Sequence, residues 1–422
     1  MREKKYMRDN NKPDFDYIIA KNKSGDRSFA EKTFNIETTR LARTFHRQIP
    51  LYRQTPLVAL PHLAHMLGVD GIYVKDESQR LELNSFKVMG GSFAIFRYIQ
   101  KRLGLSDDKM SYKFLLSKEC HDKLGTITFA SATDGNHGRG IAWAAMMLGH
   151  KCKIYVHRDT SAARINAIKM YGAEVTVVDG NYDDAVRKVA EDARENNWVI
   201  ISDTSWPGYT EVPTWIMQGY TTMLLEAQEQ FAGMGITKPT HVFVQAGVGA
   251  LAASVIGFYA NLFKENAPKF IVVEPENAAC VYASAKAGDG EVHDITGNLD
   301  TIMAGLACGD PSPIAWKILW PLTDAYLSVP DYVAARGMRI LATPLKDDPI
   351  VISGESGAVT IGALYSMLTE KQNCQDLLDY LDINEHSTLL FINTEGNTDP
   401  THFRQIIWDG CDPVPNKYWT RR

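Results

Sequence analysis

Short β-like runs and longer helix-like runs alternate along most of this 422-residue chain. The β-like runs, rich in β-branched and aromatic residues, are 71–74, 126–130, 153–156, 175–178, 198–201, 241–244 and 270–273. The intervening helix-like stretches are 86–99, 138–148, 162–171, 183–196 and 214–231. Strands that alternate with helices favour parallel sheets covered by helices. The sequence therefore predicts an α/β fold.

The length of the chain favours two domains, because it exceeds the usual size of a domain with one hydrophobic core. Between 126 and 201, strand and helix repeat about every 25 residues, as in open α/β sheets. We predict a small domain over 95–209, inserted into a large domain made of 1–94 and 210–422. A ligand is expected in the cleft between them, at the carboxyl ends of the strands. The first 50 residues show weak periodicity and are expected to pack as an arm on the body or on a partner.

Charge and cysteine usage exclude several classes of partner. A net charge of −5 argues against nucleic acid or an anionic membrane as the main partner. The charged start of the chain predicts no secretory signal, and the longest apolar run, 246–260, is more typical of a strand end and a buried helix than of a membrane span. None of the six cysteines forms a C-x-x-C pair, which disfavours a metal site and favours a reducing cytoplasm. The sequence leaves undecided whether Cys280 and Cys308 form a disulfide.

Lys87 lies at the start of an apolar helix-like stretch, directly after a β-rich run. A lysine shielded from water loses its proton more easily and can act as an amine nucleophile toward an aldehyde. A lone lysine in such a place is more often solvated on a helix surface. Companion segments downstream are what favour the catalytic interpretation.

One companion segment, 131–138, joins a strand to a helix that begins near Asn136. The N-terminus of a helix offers unpaired backbone N–H groups that bind anions such as a carboxylate. A simple N-cap at Asn136 is the structural alternative. Asp203, at the carboxyl end of the strand 198–201, faces the same predicted cleft, with a turn or capping role as its alternative.

The segment 245–253 follows a strand and opens a helix. Its glycines, Gly247 and Gly249, let the backbone approach a phosphate closely, and the helix N-terminus favours the negative charge. A structural contact between helix and sheet is the alternative. No Walker lysine follows and no full G-x-G-x-x-G is present, which disfavours nucleotide hydrolysis and dinucleotide binding.

Four segments carry a resemblance to a known family. They are Asn84-Ser85-Phe86-Lys87, 130–138, 203–209 and Asn393-Thr394-Glu395-Gly396-Asn397. With the glycine loop, they resemble motifs of the fold type II pyridoxal-phosphate (PLP) enzymes, the threonine-deaminase and cysteine-synthase superfamily, across most of the chain. The resemblance implies two open parallel-sheet domains of the tryptophan synthase β-like class.

The resemblance also implies a role for each matching residue. Lys87 would hold PLP covalently, Asn136 would meet its 3′-oxygen, and Thr394 would face its pyridine nitrogen. A neutral hydroxyl at Thr394 cannot keep that nitrogen protonated as an aspartate would, which favours elimination over transamination. The cofactor phosphate would be bound by Gly247, Val248, Gly249, Ala250 and Leu251.

The two aspartates distinguish this chain within the superfamily. Asp134 stands where threonine deaminases have alanine, and with Asp203 it suggests a pocket for an ammonium group. The segments are similar to those of the diaminopropionate ammonia-lyase branch, which implies elimination of D- and L-2,3-diaminopropionate to pyruvate and two ammonia by a homodimer. Lys87 would be the base for the L-form, Asp134 the base for the D-form and Asp203 the partner of the β-ammonium. The implied substrate-binding residues are Ser131, Thr133, Asp134, Asp203 and Glu355.

Two other functions stay open. A serine or threonine dehydratase would eliminate water and would not need Asp134. A non-catalytic relative would keep the fold and bind an amino acid, although an intact Lys87 counts against it. A nicotinamide-dependent dehydrogenase is disfavoured by the missing dinucleotide motif.

Overall fold

The computed structural model describes residues 14–133 and 135–418, without the side chain of Asp183. Its strands are β1 (Asp16–Ile19), β2 (Leu57–Ala59), β3 (Gly71–Asp76), β4 (Thr128–Thr133), β5 (Lys151–His157), β6 (Glu174–Val178), β7 (Val199–Ile200), β8 (His241–Gln245), β9 (Lys269–Pro275), β10 (Ala325–Val329) and β11 (Thr388–Asn393). Its α-helices are α1 (Ser28–Thr33), α2 (Ile36–His46), α3 (Pro61–Leu67), α4 (Lys87–Leu103), α5 (Tyr112–Leu115), α6 (Lys118–Leu124), α7 (Asn136–Met147), α8 (Ala162–Lys169), α9 (Tyr182–Asn196), α10 (Glu211–Gly233), α11 (Ala250–Phe263), α12 (Cys280–Ala287), α13 (Pro313–Leu322), α14 (Asp331–Ala342), α15 (Glu355–Thr369), α16 (Gln375–Leu381) and α17 (Pro400–Ile407).

The strands form two sheets. The larger has the order β1-β10-β9-β8-β11-β3-β2, and the smaller has the order β6-β5-β4-β7. All pairs in the smaller sheet are parallel. In the larger sheet the inner pairs are parallel, and the edge strands β1 and β2 run antiparallel to their neighbours. The predicted α/β class with parallel sheets is therefore confirmed, while the two antiparallel edge strands were not predicted.

The smaller sheet uses strands between residues 128 and 200, inside the segment predicted as the small domain. The helix α4 crosses the predicted boundary at residue 95 and packs against both α7 and α10. One apolar core also extends across both sheets through these three helices. The domain limits at 94/95 and 209/210 therefore stay a prediction.

The described part of the first 50 residues packs on the body. The strand β1 extends the larger sheet, and the helix α2 lies against α10. The ring of Phe34 fills the space above Gly257 in α11, where an added Cβ would lie 2.5 Å from it. The predicted buried helix in the run 246–260 is α11, while residues 246–249 form a loop after β8 where a strand end was predicted. Among the described helices, none combines the length and the apolarity needed to cross a bilayer.

Glu274, at the end of β9, is a fully buried carboxyl group beside the glycine loop. Its two oxygens accept the backbone N–H groups of Val281 and Tyr282 at 2.9 and 2.6 Å, at the start of α12. Burial raises the pKa of Glu274 to about 8, and the two N–H donors oppose this rise only in part. The first residue of α12, Cys280, lies with its sulfur 3.5 Å from the carbonyl oxygen of Gly247, so this carboxyl group positions a helix that contacts the loop.

We expect Glu274 to make stability depend on pH. The folded pKa of about 8 lies above the usual value near 4.5, so the folded state binds more protons between these values and stability falls as pH rises through that window. Thermal unfolding of Glu274→Gln between pH 5 and 9 should show a smaller decline than the wild-type protein shows. The exposed neighbour Glu276, changed to glutamine, is the matched control. Parallel curves for all three proteins would contradict the assignment.

Candidate active site

The loop before Lys87 is held in an unusual backbone conformation. Leu81, Glu82 and Asn84 have φ angles of 49°, 62° and 54°, in the left-handed region that non-glycine residues rarely adopt. The loop pairs with the strand-end segment after β11, because the N–H of Phe86 donates to the carbonyl oxygen of Thr394 at 3.1 Å. These contacts bring Lys87, the first residue of α4, into the cleft between the sheets.

A fully buried cluster of four charges anchors the start of this loop. Arg80 donates to Glu77 at 2.7 Å and to both oxygens of Glu226 at 2.9 and 2.7 Å. Lys75 donates to Glu226 at 2.8 Å, and all four side chains are inaccessible to solvent. Burial alone would raise the pKa of Glu226, but the two cations hold it well below its usual value. Two cations and two carboxylates balance, so the cluster is neutral as a whole.

The amine of Lys87 forms an ion pair with the carboxylate of Asp203. Asp203 follows β7 and is 4% exposed. Burial by itself would raise the pKa of Asp203, but the charge of Lys87, the nearby His137 and the Lys87 hydrogen bond lower it to about 2. The ring of His137 donates from Nε2 to the carbonyl oxygen of Ile201 at 2.8 Å, and its Nδ1 lies 4.0 Å from Asp203. Asp203 is therefore an anion at neutral pH, with its charge directed at Lys87.

Of the site residues predicted around the end of β4, one has a structural position and another lines the cleft. Ser131 is fully buried and donates its hydroxyl to the carbonyl oxygen of Ile201 at 2.8 Å, outside the set of cleft-lining residues. The hydroxyl of Thr133 accepts the N–H groups of Gly135 and Gly138 at 2.9 and 3.0 Å, which shapes the start of α7. Thr133 also lines the cleft. Asp134 lies outside the described residues.

Asn136, the first residue of α7, connects the two sheets across the cleft. Its side-chain amide donates to the carboxylate of Glu395 at 2.5 Å. Asn136 follows a strand of the smaller sheet, and Glu395 follows β11 of the larger sheet. Both residues line the cleft.

The glycine loop after β8 forms another wall. An added Cβ at Gly247 would lie 3.2 Å from both the sulfur of Cys308 and the Cα of Leu306, and Gly249 has a φ of 95°. Gly249 is the N-cap of α11 and makes no side-chain capping bond, so backbone N–H groups of the first turn are available to a ligand. Cys280 and Cys308 contact this loop and are not joined by a disulfide in the structure.

The cleft fits a cofactor that carries a phosphate and an aldehyde. A phosphate suits the open N-terminus of α11, and an aldehyde suits the amine of Lys87. Two residues that line the cleft, Gln245 and Ser356, each have a buried polar atom, Oε1 and Oγ respectively, with no hydrogen-bond partner among the described residues. Buried polar atoms are normally paired, so these two atoms point to a polar ligand.

Most of the predicted site residues come together in this one cleft. Its lining includes Lys87, Thr133, Asn136, Asp203, Gly247, Val248, Gly249, Ala250, Leu251 and Thr394. Ser131 and Glu355 are not part of this lining. Glu355 lies at the start of α15, where its carboxylate contacts Nδ1 of His402 at 2.8 Å and raises the pKa of that histidine. The functional roles assigned to these residues stay predictions.

Other cleft residues were not assigned a role from the sequence. They include His157, Tyr182, Tyr220, the side chain of Gln245, Glu395 and Cys308. Glu395 belongs to a segment that the motif had already marked, so its carboxylate was a usable signal. Tyr220 lies in the middle of α10, where an apolar helix residue gives no sign of a site.

Comparison with known proteins places the chain in a family. Residues 49–377 match the family described as pyridoxal-phosphate dependent enzyme. Diaminopropionate ammonia-lyase of Salmonella typhimurium is 46% identical over 367 residues, which are 87% of this chain and 91% of the relative. The crystal structure of diaminopropionate ammonia lyase from Escherichia coli in complex with D-serine has a TM-score of 0.88 and 42% identity, over 96% of this chain and 99% of that one.

A second crystal structure of the Escherichia coli enzyme, in complex with an aminoacrylate-PLP azomethine reaction intermediate, has a TM-score of 0.87, 42% identity and the same coverage. These matches agree with the predicted tryptophan synthase β-like architecture. The chain therefore belongs to the pyridoxal-phosphate dependent enzymes, in the branch of the diaminopropionate ammonia-lyases.

Proposed function

We propose that the protein is an ammonia-lyase that converts 2,3-diaminopropionate to pyruvate and two ammonia with pyridoxal 5′-phosphate. The observation that carries the proposal is the ion pair between Lys87, which is 17% exposed, and the buried Asp203, in a cleft that also contains the glycine loop. An amine leaves poorly unless it is protonated, so an enzyme that expels ammonia needs a carboxylate near it. An enzyme that eliminates a hydroxyl group does not need this carboxylate, because its substrate has no ammonium group at Cβ.

The cofactor would be held by the residues that line the cleft. Lys87 would supply the amine for covalent attachment, the glycine loop and the start of α11 would bind the phosphate, and Asn136 and Thr394 would hold the ring. When bound, pyridoxal phosphate supplies an aldehyde that captures the substrate amine and a ring that accepts the electron pair left at Cα.

Asp203 is proposed as the partner of the substrate β-ammonium. Its low pKa depends on the positive charge of Lys87, because burial alone acts in the opposite direction. When the amine of Lys87 is no longer a free cation, Asp203 remains buried and favours another cation beside it. The β-ammonium of the substrate meets that requirement, and Asp203 can hold its proton in place until ammonia departs.

Lys87 and Asp134 are proposed as bases on opposite faces of the substrate. A base removes the Cα proton only from the face on which it lies, so an enzyme that accepts both enantiomers needs one on each face. Lys87 Nζ serves the L-form and the Asp134 carboxylate serves the D-form. Asp134 follows β4 directly in the sequence, which is the position of a cleft residue in an α/β sheet.

The direct test is an assay of the purified protein with DL-2,3-diaminopropionate and, separately, with serine. We expect pyruvate from diaminopropionate at a kcat/KM clearly above that for serine. A protein that releases pyruvate only from serine or threonine would be a dehydratase. A protein that binds the amino acids without releasing pyruvate would be a non-catalytic relative.

We expect Asp203→Asn to lower kcat with diaminopropionate by about 10²- to 10⁴-fold, because the variant cannot hold a proton at the leaving nitrogen. The loss with serine should be smaller by about tenfold or more, since serine carries no β-ammonium. Steady-state kinetics with both substrates measures the difference. Asp179→Asn, at a site 90% exposed, is the control and should match the wild-type protein. Equal losses with both substrates would mean that Asp203 acts through Lys87 alone.

The variant Asp134→Asn is expected to discriminate between enantiomers. Activity with D-diaminopropionate should fall by about 10²- to 10⁴-fold, the usual contribution of a general base, while activity with the L-form should stay near wild type. The L-form is therefore an internal control for folding and for cofactor binding. An equal loss with both enantiomers would refute the two-base proposal.

We further propose that the enzyme works as a homodimer in the cytoplasm, without nucleic acid or membrane partners. The family resemblance supports the dimer. The net charge of −5 argues against nucleic acid and anionic membranes, and the absence of a C-x-x-C pair from the sequence favours a reducing cytoplasm. Light scattering on the purified protein would measure the oligomeric state.

A further inference from the structure

Gln245 ends β8 and is 1% exposed. Its side-chain nitrogen lies 2.8 Å from the carbonyl oxygen of Ser356, 3.1 Å from that of Ile392 and 3.0 Å from the hydroxyl oxygen of Thr394. A backbone carbonyl oxygen can only accept a hydrogen bond. The two carbonyls therefore require the NH₂ end of the amide at this position, so the orientation of Gln245 follows from chemistry.

The orientation of Gln245 determines what the Thr394 hydroxyl can do. An amide nitrogen has no lone pair available to accept a proton, so Thr394 can accept from Gln245 and cannot donate to it. Among the residues that the structure describes, Thr394 has no other hydrogen-bond partner for its hydroxyl. Thr394 also lines the cleft. Its hydroxyl proton is therefore available to a ligand in the cleft.

We propose that Gln245 is a positioning residue that makes Thr394 a hydrogen-bond donor to the ring nitrogen of bound PLP and so keeps that nitrogen unprotonated. The inference rests on the position of Thr394 in the proposed function. A nitrogen that accepts a hydrogen bond presents its lone pair and carries no proton of its own. An unprotonated ring takes up less negative charge, which favours prompt loss of the β-amine.

The other end of the amide supports a specific role for the NH₂ group. Oε1 of Gln245 is buried without a partner among the described residues. Leaving a buried acceptor unsatisfied costs about 1–3 kcal/mol. A glutamine that served only to connect β8 with its neighbours would gain from bonding at both ends. The side chain instead bonds through its nitrogen alone, and its oxygen has no partner among the described residues.

The experiment uses the full-length protein freed of cofactor and reloaded with PLP labelled with ¹⁵N in the ring. Nitrogen NMR reports directly whether a pyridine nitrogen carries a proton. Free labelled PLP, titrated from acid to alkali, supplies the two reference positions. We expect the bound wild-type signal near the unprotonated position, at a pH where substrate turnover is normally assayed. A wild-type signal at the protonated position would overturn the proposal.

Two variants test whether Gln245 is the cause. In Gln245→Glu the new carboxyl group carries a proton where it meets the two carbonyls and offers Thr394 an acceptor oxygen, so the hydroxyl can turn away from the ring and the ring signal should move toward the protonated position. In Gln245→Met the hydroxyl loses its fixed direction, so the signal should shift with pH; this neutral variant decides the matter if the first one does not fold. Gln228→Glu, on α10 and bonded to Thr237, is the control and should keep the wild-type signal.

Unchanged signals in both Gln245 variants would also overturn the proposal. No substrate is present in the measurement, so its result is independent of whether diaminopropionate is the substrate. A protein that fails the pyruvate assay can still pass this test, and the reverse is also true.

Discussion

Replacement of Lys87 by alanine is expected to lower pyruvate release from diaminopropionate by about 10⁴-fold or more, because one side chain supplies both the covalent attachment and a base. Lys87 is the only lysine among the described residues that line the cleft, so no neighbour can replace its amine. Borohydride reduction and mass spectrometry of the wild-type protein should find a cofactor adduct at Lys87. The variant should carry no adduct and lose the visible absorption band of the bound cofactor.

Lys101→Ala is the matched control for this experiment. Lys101 lies on the same helix, α4, with 64% of its side chain exposed and an ion pair to Glu211 at 2.6 Å. Exposed ion pairs contribute little to stability, so this variant should keep its colour, its adduct and its turnover. An adduct on another lysine, or full activity in Lys87→Ala, would overturn the assignment of the site.

The second large effect is expected on stability. Glu226→Gln should lower the free energy of unfolding by about 3–5 kcal/mol, because it leaves Lys75, Arg80 and Glu77 with an uncompensated buried positive charge. The same change should weaken the anchor of the strained loop that leads to Lys87. Urea unfolding followed by fluorescence and by circular dichroism would measure the loss.

Glu229→Gln provides the control one turn further along α10. Glu229 accepts two hydrogen bonds from Arg43 at 2.9 and 2.8 Å, but 59% of its side chain is exposed. The expected loss there is about 0–1 kcal/mol, because water screens an exposed pair. Equal unfolding midpoints for the two variants would show that burial of the Glu226 cluster does not increase its contribution to the free energy of unfolding.

The architecture could be read from the sequence because it depends on local periodicity. A strand such as β5 and a helix such as α4 are recognised by the spacing of their own apolar residues. The limits of elements were less accurate. The strand predicted at 126–130 spans Thr128–Thr133. The apolar pattern alone predicted the next helix at 138–148, whereas the motif predicted its start near Asn136, where α7 begins. Hydrogen bonds of Thr133 to Gly135 and Gly138 set that start, and no periodicity reveals them.

Much of the candidate site could also be predicted, because its parts lie at strand ends. Lys87 follows β3 after a short loop, Asp203 follows β7, and Thr394 follows β11. In parallel sheets these ends lie on one side, so motifs that follow strands converge there. Glu355 and Ser131 show the limit of this reasoning. Each lies in a matching segment, but their side chains bond to His402 and Ile201 and do not line the cleft.

The amino-acid sequence by itself determined the α/β class, the order of the elements and the segments that carry the chemistry, because these depend on residues near one another in the chain. Only the tertiary structure decided which side chains pair with one another. Asp203 forms an ion pair with Lys87, and hydrogen bonds join Asn136 to Glu395 and Gln245 to Thr394. These partners are separated by 116, 259 and 149 residues. Hydrogen bonds and ion pairs act over a few ångströms, so their choice follows from how the sheets and helices pack.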